Sequence, residues 1–392
     1  MELVAWAAAE GTPLDVVGDG SKQALGRPSI ADHVVDFTGL SGISLYEPEE
    51  LVLSAAAGTK MAEIERAVAE RHQMLAFEPP DLGSLWGGKV GCGTLGGVLA
   101  CNLSGSRRIK AGAARDHLLG VEAVSGRGEE FKTGGRVMKN VTGYDLCKLL
   151  TGSYGTLAAM TQATVKVLPA PETTRAVVVL GLNDEEATAA MTAALGSTHE
   201  VSGAAHIPEK LTVHVPELAR QGKAVTVLRI EGVMASVKAR TQVLCKELAT
   251  HGEVEELDDE GARALWVAVR DAKALVASVL GDLWRLSVPP QAGWRVVQGL
   301  EKERKVDAFY DWGGGLVWLT IDGGMDGGAA DVRSALAPYG GHATLIRSSE
   351  KVRASVSVFQ PQSPPLAALT RRVKEAFDPK RILNRGRMYA DL

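Results

Sequence analysis

The sequence predicts an α+β protein built from two units. Short strands alternate with helices along the first 171 residues, and a proline-rich stretch at residues 168–171 then separates them from a different order of strands and helices. The 392 residues are enough for two or three domains of ordinary size. The 44 glycines exceed the usual share of ~7% and are not periodic, which excludes collagen-like and low-complexity chains. We therefore expect one unit over residues 1–171 and a second over residues 172–392.

Charge and cysteine content narrow the function classes. A formal net charge of −4 provides no basic field for nucleic acid or anionic lipid. The four cysteines form no CxxC pair, so we expect reduced thiols and no metal site. The N-terminus carries an acid instead of a basic region, and the longest uncharged run, residues 90–106, is too short to span a bilayer. We expect a cytoplasmic protein that can still reach the cytoplasmic membrane face through partners.

The first unit shows clear periodic segments. Apolar residues at Met61, Ile64 and Val68 predict a helix over residues 60–72. Residues 160–167 alternate polar and apolar side chains, which predicts a half-buried strand with one polar face. Further strands are expected at residues 14–17, 34–37, 51–56 and 118–125.

The second unit reads as a β-α-β-β-α-β order, which is typical of an α+β sandwich. Its strands are expected at residues 175–182, 225–231, 285–288 and 316–321, with helices near residues 184–195, 234–250, 259–275 and 328–337. An amphipathic helix at residues 365–377 leads into a basic tail, and we see no internal repeat.

A first glycine-rich loop follows the strand at residues 14–17. Closely spaced glycines let successive N–H groups converge on an anion, while a hydroxyl and an ammonium group add further contacts. The loop consists of Gly18, Asp19, Gly20, Ser21 and Lys22. A plain turn is the alternative. Because Gln23 occupies the last glycine position of a GxGxxG fingerprint that begins at Gly18, the sequence does not favour a standard NAD-binding fold.

A second, denser loop lies within residues 83–105, which contain eight glycines. Thr94 can cap the apolar helix that follows, and Gly96 and Gly97 allow a flat or anionic ligand to approach the backbone. Tight helix packing is the alternative for paired glycines. Two such loops in one unit favour a nucleotide cofactor.

These residues carry a resemblance to a known family. Residues 18–22, 80–105 and 152–157 together resemble the p-cresol methylhydroxylase-type FAD-binding domain of the vanillyl-alcohol oxidase superfamily. Within it, residues 135–146 and 377–388 resemble the FAD-binding subunit of bacterial glycolate oxidase. The resemblance covers the whole chain. It implies an FAD-binding domain of this type, followed by an α+β sandwich cap domain whose C-terminal tail returns toward the flavin domain.

The same resemblance implies which residues contact FAD. The first pyrophosphate loop falls on residues 18–22 and the second on Thr94, Leu95, Gly96 and Gly97. Further contacts are implied at Pro80, Asp81, Asn102, Ser104, Gly105, Gly143, Tyr144, Gly155 and Thr156. The chain departs from the family at Tyr154, Ala158 and Arg385. Since no histidine lies between residues 18 and 26, we expect FAD to be held without a covalent bond.

The resemblance implies the FAD-binding subunit of a glycolate oxidase (glycolate dehydrogenase) complex, which oxidises glycolate to glyoxylate. It implies a homologous flavin subunit and an iron–sulfur subunit as partners. Two alternatives stay open: a self-sufficient FAD-dependent dehydrogenase for a 2-hydroxy acid, and a scaffold that keeps the fold but not the chemistry.

No catalytic residue and no metal ligand can be assigned from the sequence. Oxidising a 2-hydroxy acid requires a cation for the carboxylate and a base for the hydroxyl proton. Arg270, Arg285 and Arg347 are candidates for the cation, with an ordinary ion-paired or surface arginine as the alternative for each. The eight histidines form no cluster. Residues 371–387 carry seven basic and two acidic side chains, which favours a segment that docks on an acidic partner surface or a solvated tail. A nucleic-acid-binding arm is less favoured, because aromatic stacking residues do not alternate with the basic ones.

Overall fold

The computed structural model describes residues 1–136, 143–278 and 281–392. Its strands are β1 (Leu14–Val17), β2 (His33–Asp36), β3 (Ile43–Glu47), β4 (Val52–Ala56), β5 (Gln73–Met74), β6 (Leu118–Ser125), β7 (Glu130–Gly134), β8 (Ala158–Lys166), β9 (Leu168–Pro169), β10 (Thr173–Leu180), β11 (Gly203–Ile207), β12 (Val225–Gly232), β13 (Glu253–Leu257), β14 (Asp282–Ser287), β15 (Val306–Asp311), β16 (Leu316–Ile321) and β17 (His342–Arg347).

The helices alternate with these strands, as the sequence predicts. They are α1 (Glu2–Glu10), α2 (Met61–Ala69), α3 (Leu95–Cys101), α4 (Arg108–Ala111), α5 (Ala114–His117), α6 (Leu146–Leu150), α7 (Asp184–Leu195), α8 (Glu209–Thr212), α9 (Met234–Leu248), α10 (Asp259–Arg270), α11 (Gly293–Glu301), α12 (Ala329–Leu336), α13 (Glu350–Ser355) and α14 (Pro364–Phe377).

The first unit contains an antiparallel sheet in the order β3-β4-β8-β6-β7. Helix α2 buries Met61, Ile64 and Val68, the apolar positions that predicted it. Strand β8 has the expected polar face, on which the Thr164 hydroxyl lies 2.7 Å from the hydroxyl of Ser54 in the neighbouring strand β4. The opposite face packs into a core that includes α2 and α3.

A small parallel sheet of β1 and β2 lies beside this unit, and the C-terminal tail joins it. Leu383 forms a parallel bridge with Leu14. The Leu14 N–H donates to Ile382 O over 2.6 Å, and the Asn384 N–H donates to Leu14 O over 2.9 Å. The tail therefore lies against the first strand of the chain, while the domain division at residue 171 stays a prediction.

The second unit forms a sheet in the order β13-β10-β12-β11-β15-β16-β14-β17. In the described residues the β-α-β-β-α-β order occurs twice, first over β10 to β13 and then over β14 to β17, with equivalent strand neighbours. The two halves meet where His206 of β11 pairs with Tyr310 of β15. The expectation of one such motif and no repeat was wrong, because β11 and β13 lack the long apolar alternation that identifies strands.

The two faces of this second sheet have different partners. Helices α7 and α9 cover one half of the outer face, and α11 and α12 cover the other. The inner face, with Ile207, Phe309 and Trp318, shares a core with the first unit. Helix α10 is shorter than predicted: it ends at Arg270, and Ala272 takes a left-handed backbone with φ 52°.

Buried ion pairs connect the two units. Arg229 of β12 donates two hydrogen bonds to Glu78, at 2.9 and 3.0 Å. Arg107 contacts both Glu78 and Glu231. Although burial opposes ionisation, Arg229 and Arg107 hold the pKa of Glu231 at about 2. This network fixes the second sheet against the segment that follows Phe77.

Candidate functional site

A cleft of about 760 Å³, including its open mouth, lies between the first glycine loop, helix α3 and the C-terminal tail. Nine of the residues implied by the family resemblance line it: Gly18, Asp19, Gly20, Ser21, Lys22, Thr94, Gly96, Gly97 and Gly155. The remaining lining residues are Asp15, Val16, Val17, Gln23, Phe37, Ala57, Ala100, Cys101, Tyr154, Ala158, Met160, Asn384 and Arg387.

The first glycine loop offers free backbone donors to this cleft. The N–H groups of residues 18–22 have no hydrogen-bond acceptor within the described parts of the chain. A Cβ at Gly18 would lie 2.5 Å from Thr94 Oγ1, so only glycine permits the two loops to approach so closely. Burial lowers the pKa of Lys22, whose ammonium group lies 3.2 Å from Ser21 Oγ. Free N–H groups beside a cation suit the phosphates of a dinucleotide.

The second glycine loop plays a different part from the one expected. The N–H groups of Leu95 and Gly96 donate to backbone carbonyls of Thr59 and Ala57, at 3.0 and 2.8 Å. Thr94 caps α3 as predicted, because its Oγ1 accepts the Gly97 N–H. A Cβ at Gly96 would lie 2.9 Å from the Ala57 Cβ, so tight packing explains this glycine. These N–H groups are therefore already paired and contribute little to anion binding.

The C-terminal tail completes the cleft with two residues that the sequence analysis missed. Asn384 accepts the Val16 N–H through Oδ1 and donates from Nδ2 to Tyr154 O, both over 2.7 Å. Arg387 donates to Lys22 O over 2.8 Å. The tail motif at residues 377–388 was the available signal, but it identified a family ending and not a cleft wall.

Several residues implied by the resemblance do not line this cleft. Their side chains or backbones are used for packing and hydrogen bonds elsewhere. Leu95 is buried in the core, Asn102 Oδ1 accepts the Arg115 N–H, Ser104 Oγ accepts the Ala114 N–H, and Gly105 packs against Glu78 and Arg270. Asp81 accepts the N–H groups of Gly83 and Gly91, and the Thr156 hydroxyl donates to Ser153 O.

Three further implied residues also lie outside the cleft lining. Pro80 is buried beside Asp81. Gly143 has open space where a Cβ would stand, and the Tyr144 side chain is 93% exposed. Residues 137–142, which belong to the motif at residues 135–146, lie outside the described residues.

The structure separates the three candidate arginines. Arg270 forms an ion pair with Asp271 at 2.8 Å, and Arg347 donates to Leu85 O over 2.9 Å. Arg285 has no carboxylate within ion-pair distance among the described residues. Its guanidinium packs against the rings of Trp312 and Trp318, at 5.0 and 5.7 Å from their centroids. The ordinary interpretation fits Arg270 and Arg347, and Arg285 remains a candidate.

Arg285 belongs to a cluster with Arg108, Trp312 and His342, which we call the arginine cluster. The Arg108 guanidinium lies 4.5 Å from the Trp312 ring centroid. Burial, followed by the charge of Arg108, lowers the pKa of Arg285 to about 10. Burial and the two guanidinium groups also lower the pKa of His342. The cluster is therefore a partly buried concentration of positive charge.

The arginine cluster lies beside the cleft. Burial raises the pKa of Tyr154, a cleft residue, and the nearby Arg285 charge acts in the opposite direction. Trp312 donates its indole N–H to Gly105 O over 3.1 Å, which joins the cluster to the first unit. A cofactor in the cleft and an anion at the cluster would thus be neighbours.

The basic tail differs from the expected docking segment. Lys374 and Arg387 are buried, and Lys374 pairs with Asp378 at 2.7 Å. Arg371 and Arg381 form ion pairs with Asp391 and Glu375. The remaining tail cations, which are exposed, are Arg372, Lys380 and Arg385. Most of the tail's positive charge is therefore used within the molecule.

The described residues contain neither a membrane-spanning helix nor a metal-binding group of side chains. None of the described helices is both long and apolar enough to cross a membrane. Across residues 1–136, 143–278 and 281–392, no group of three or more His, Cys, Asp or Glu side chains is placed to hold a metal ion.

The sequence and fold match known proteins. Residues 1–134 match the FAD binding domain family, and residues 358–388 match the C-terminal domain of FAD linked oxidases. The chain is 33% identical to glycolate oxidase subunit GlcE of Escherichia coli (strain K12), over 100% of this chain and 97% of that protein. It is 25% identical to glycolate oxidase subunit GlcD of Bacillus subtilis (strain 168), over 96% of this chain and 84% of that protein.

A solved structure supports the same fold class. Substrate-bound p-cresol methylhydroxylase superposes with a TM-score of 0.72 at 14% identity, covering 99% of this chain and 86% of that one. At this identity the similarity concerns the fold alone. It confirms the predicted p-cresol methylhydroxylase-type architecture.

Proposed function

Because this chain belongs to the family of FAD-linked oxidases that contains the glycolate oxidase subunit GlcE, we propose that it is the FAD-binding subunit of a glycolate oxidase complex that converts glycolate to glyoxylate. It is an FAD-dependent oxidoreductase by the same comparisons. The observation that carries the proposal is the cleft, whose first glycine loop presents, beside Lys22, backbone N–H groups that have no acceptor among the described residues.

The cleft suits FAD bound without a covalent link. The N–H groups of residues 18–22 would hold the pyrophosphate, and the Lys22 ammonium group would balance its charge. Gly97, Gly155 and Asn384 would form the neighbouring walls. FAD, when bound, supplies a hydride acceptor for the carbon that carries the substrate hydroxyl. The protein's contribution is to position both groups and to exclude water between them.

We further propose that the chain works with a homologous flavin subunit and an iron–sulfur subunit. Two observations support this division of labour: the relatives GlcE and GlcD are both named as subunits of glycolate oxidase, and the eight histidines of this chain form no cluster in the sequence from which a catalytic base could be assigned. The complex would operate in the cytoplasm or on the cytoplasmic face of the membrane. The isolated chain would then bind FAD but oxidise glycolate poorly.

The test compares the purified chain with the co-expressed complex. We expect the single chain to carry FAD that is released into the supernatant on acid precipitation, and to reduce an artificial dye slowly with glycolate. Co-expression with both partner subunits should produce rapid glycolate-dependent dye reduction. Flavin that stays in the acid pellet would contradict non-covalent binding. Rapid turnover by the single chain would instead favour a self-sufficient dehydrogenase.

A further inference from the structure

The arginine cluster contains two cations that form no ion pair with any described acidic side chain. Arginines buried between the units are paired: Arg107 with Glu78 and Glu231, Arg229 with Glu78, and Arg270 with Asp271. Arg108 and Arg285 have no carboxylate within ion-pair distance in the described parts of the chain, although both are partly buried. A partly buried charge without a partner costs stability unless a ligand supplies the opposite charge.

The protein holds this positive charge in a fixed place. Trp312, which both guanidiniums contact, has a left-handed backbone with φ 54° at the end of β15. Asp311 accepts the Trp312 N–H over 2.6 Å and the Ser106 hydroxyl over 2.6 Å. Both oxygens of this buried carboxylate are thus occupied in positioning Trp312, so Asp311 does not neutralise the arginines through an ion pair.

We propose that Arg108 and Arg285 bind the carboxylate of the 2-hydroxy acid substrate. The inference rests on the proposed function, because it assumes that the neighbouring cleft holds FAD. Two guanidinium groups suit a planar carboxylate, to which each can donate two parallel hydrogen bonds. Arg285 lies close enough to Tyr154, which lines the cleft, for the two groups to interact electrostatically, so an acid bound to Arg285 would lie beside the cofactor cleft.

Calorimetric titration of the flavin-loaded chain tests this site directly. Glycolate and glycolamide have the same size, but only glycolate carries a charge. We expect the wild type to prefer glycolate, and Arg285→Met or Arg108→Met to weaken glycolate binding roughly 10- to 100-fold, as expected for a lost charge-assisted bond. Methionine keeps the apolar contact with Trp312. Bound flavin, measured by absorbance, should stay at the wild-type level.

A matched control is available on α11. Arg295 also packs on a tryptophan, with its guanidinium 5.1 Å from the Trp294 ring centroid, and it is exposed. Arg295→Met should leave glycolate binding unchanged. Wild-type affinity in Arg285→Met, or equal affinity for glycolate and glycolamide in the wild type, would overturn the carboxylate site.

The design separates this inference from the proposed function. A complex that oxidises glycolate with an unchanged KM after Arg285→Met would refute the carboxylate site and leave the proposed function intact. A chain that binds glycolate through Arg285, in a complex that does not oxidise it, would refute the proposed function and leave the site intact. Sulfate that competes as well as glycolate would also overturn the assignment, because the site would then be a general anion site.

Discussion

Two neighbouring glycines of the second loop have different tasks, and single substitutions should separate them. A Cβ at Gly97 would lie 3.2 Å from Thr94 Oγ1 and 3.9 Å from the Lys22 side chain, at the cleft wall. Gly97→Asp introduces a carboxylate that faces the position we propose for the FAD phosphates. We expect at least a hundredfold loss in FAD affinity, about 3 kcal/mol, with the fold retained. Fluorescence titration of the apoprotein with FAD measures this loss.

Two other glycine substitutions serve as comparisons for Gly97→Asp. An aspartate side chain at Gly96 would collide with Ala57, so we expect Gly96→Asp to lower the melting temperature of the protein, whatever its effect on FAD affinity. Gly299→Asp is the neutral control, since nothing lies within 4 Å of a Cβ there. Full FAD affinity in a folded Gly97→Asp variant would show that the cofactor does not approach this loop.

The buried carboxyl of Asp311 predicts a pH-dependent stability. Burial raises its pKa to about 6, so the folded protein favours the protonated form. Ionisation of the buried carboxyl therefore destabilises the folded protein. This destabilisation is absent well below the ordinary pKa near 4, where both states are protonated, and it grows as the pH rises through 6. Asp311→Asn should raise the free energy of unfolding by about 2–3 kcal/mol at pH 8, and by less at pH 5. Urea unfolding at both pH values measures the difference, and the exposed acid variant Asp32→Asn should show none.

The roles of residues that depend on near neighbours in the sequence were predictable, whereas roles that depend on contacts with distant parts of the chain were not. Thr94 was identified as a cap because the capping residue and its helix are adjacent in sequence. Residues 18–22 were identified because several glycines occur together. Asn384 was missed as a cleft residue because its partners Val16 and Tyr154 are far from it along the chain. Arg285 could not be distinguished from Arg270 until the positions of the acidic side chains were known.

At the element scale, strand β12 depends on Arg229 to join the units. This guanidinium is 1% exposed, donates to Glu78, and lies 4.6 Å from the Trp266 ring centroid. Arg229→Met leaves Glu78 and Glu231 buried with only Arg107 as a cation. We expect a loss of about 3–5 kcal/mol in unfolding free energy, because breaking a buried ion pair strands the partner charge. Urea unfolding of the apoprotein should show it.

The exposed variant Arg295→Met again serves as the control for Arg229→Met. It removes an arginine stacked on a tryptophan but no buried ion pair. Equal stability of the two variants would show that the buried ion pairs between the two units contribute nothing to the stability of the fold.

Elements with strong local signals were predicted well. Helix α7 has the bounds expected from the sequence, and Asn183 and Glu186 form a capping box at its start. Strand β6 also matches its prediction, since a long apolar run is hard to misread. Strand β13 was missed because Glu253, Glu255 and Glu256 make it look like a charged loop. Its position at the edge of the sheet explains how a strand can carry so many exposed acids.

For the whole molecule, the tail should couple overall stability to cofactor binding. Asn384→Gly keeps the left-handed backbone, which has φ 43°, but removes both side-chain hydrogen bonds. We expect a loss of about 2 kcal/mol in unfolding free energy and weaker FAD binding. Thermal scans with and without FAD measure both effects. Arg385→Ala, at the exposed neighbouring position, should change neither of them, and identical behaviour of the two variants would contradict this coupling.

The exposed cations of the tail are the better residues for testing whether the tail binds the partner subunits. Arg381 bonds to Asp391 O and Glu375, so reversing its charge would disturb the tail itself. Charge reversal at Arg372, Lys380 and Arg385 is the cleaner test. We expect weaker co-purification of the partner subunits, more so at high salt, because screening removes the remaining attraction. Unchanged recovery at all salt concentrations would place the partner surface elsewhere.

The tail's return to β1 also orders events during biosynthesis. Gly18 and Asn384 lie on opposite sides of one cleft but are synthesised tens of seconds apart, at about 5–20 residues per second. A nascent chain that has folded its first sheet therefore still lacks the wall made by Asn384 and Arg387. We therefore expect FAD capture at the proposed site to be a late step, and apoprotein with an open first strand to be the species that chaperones and proteases encounter.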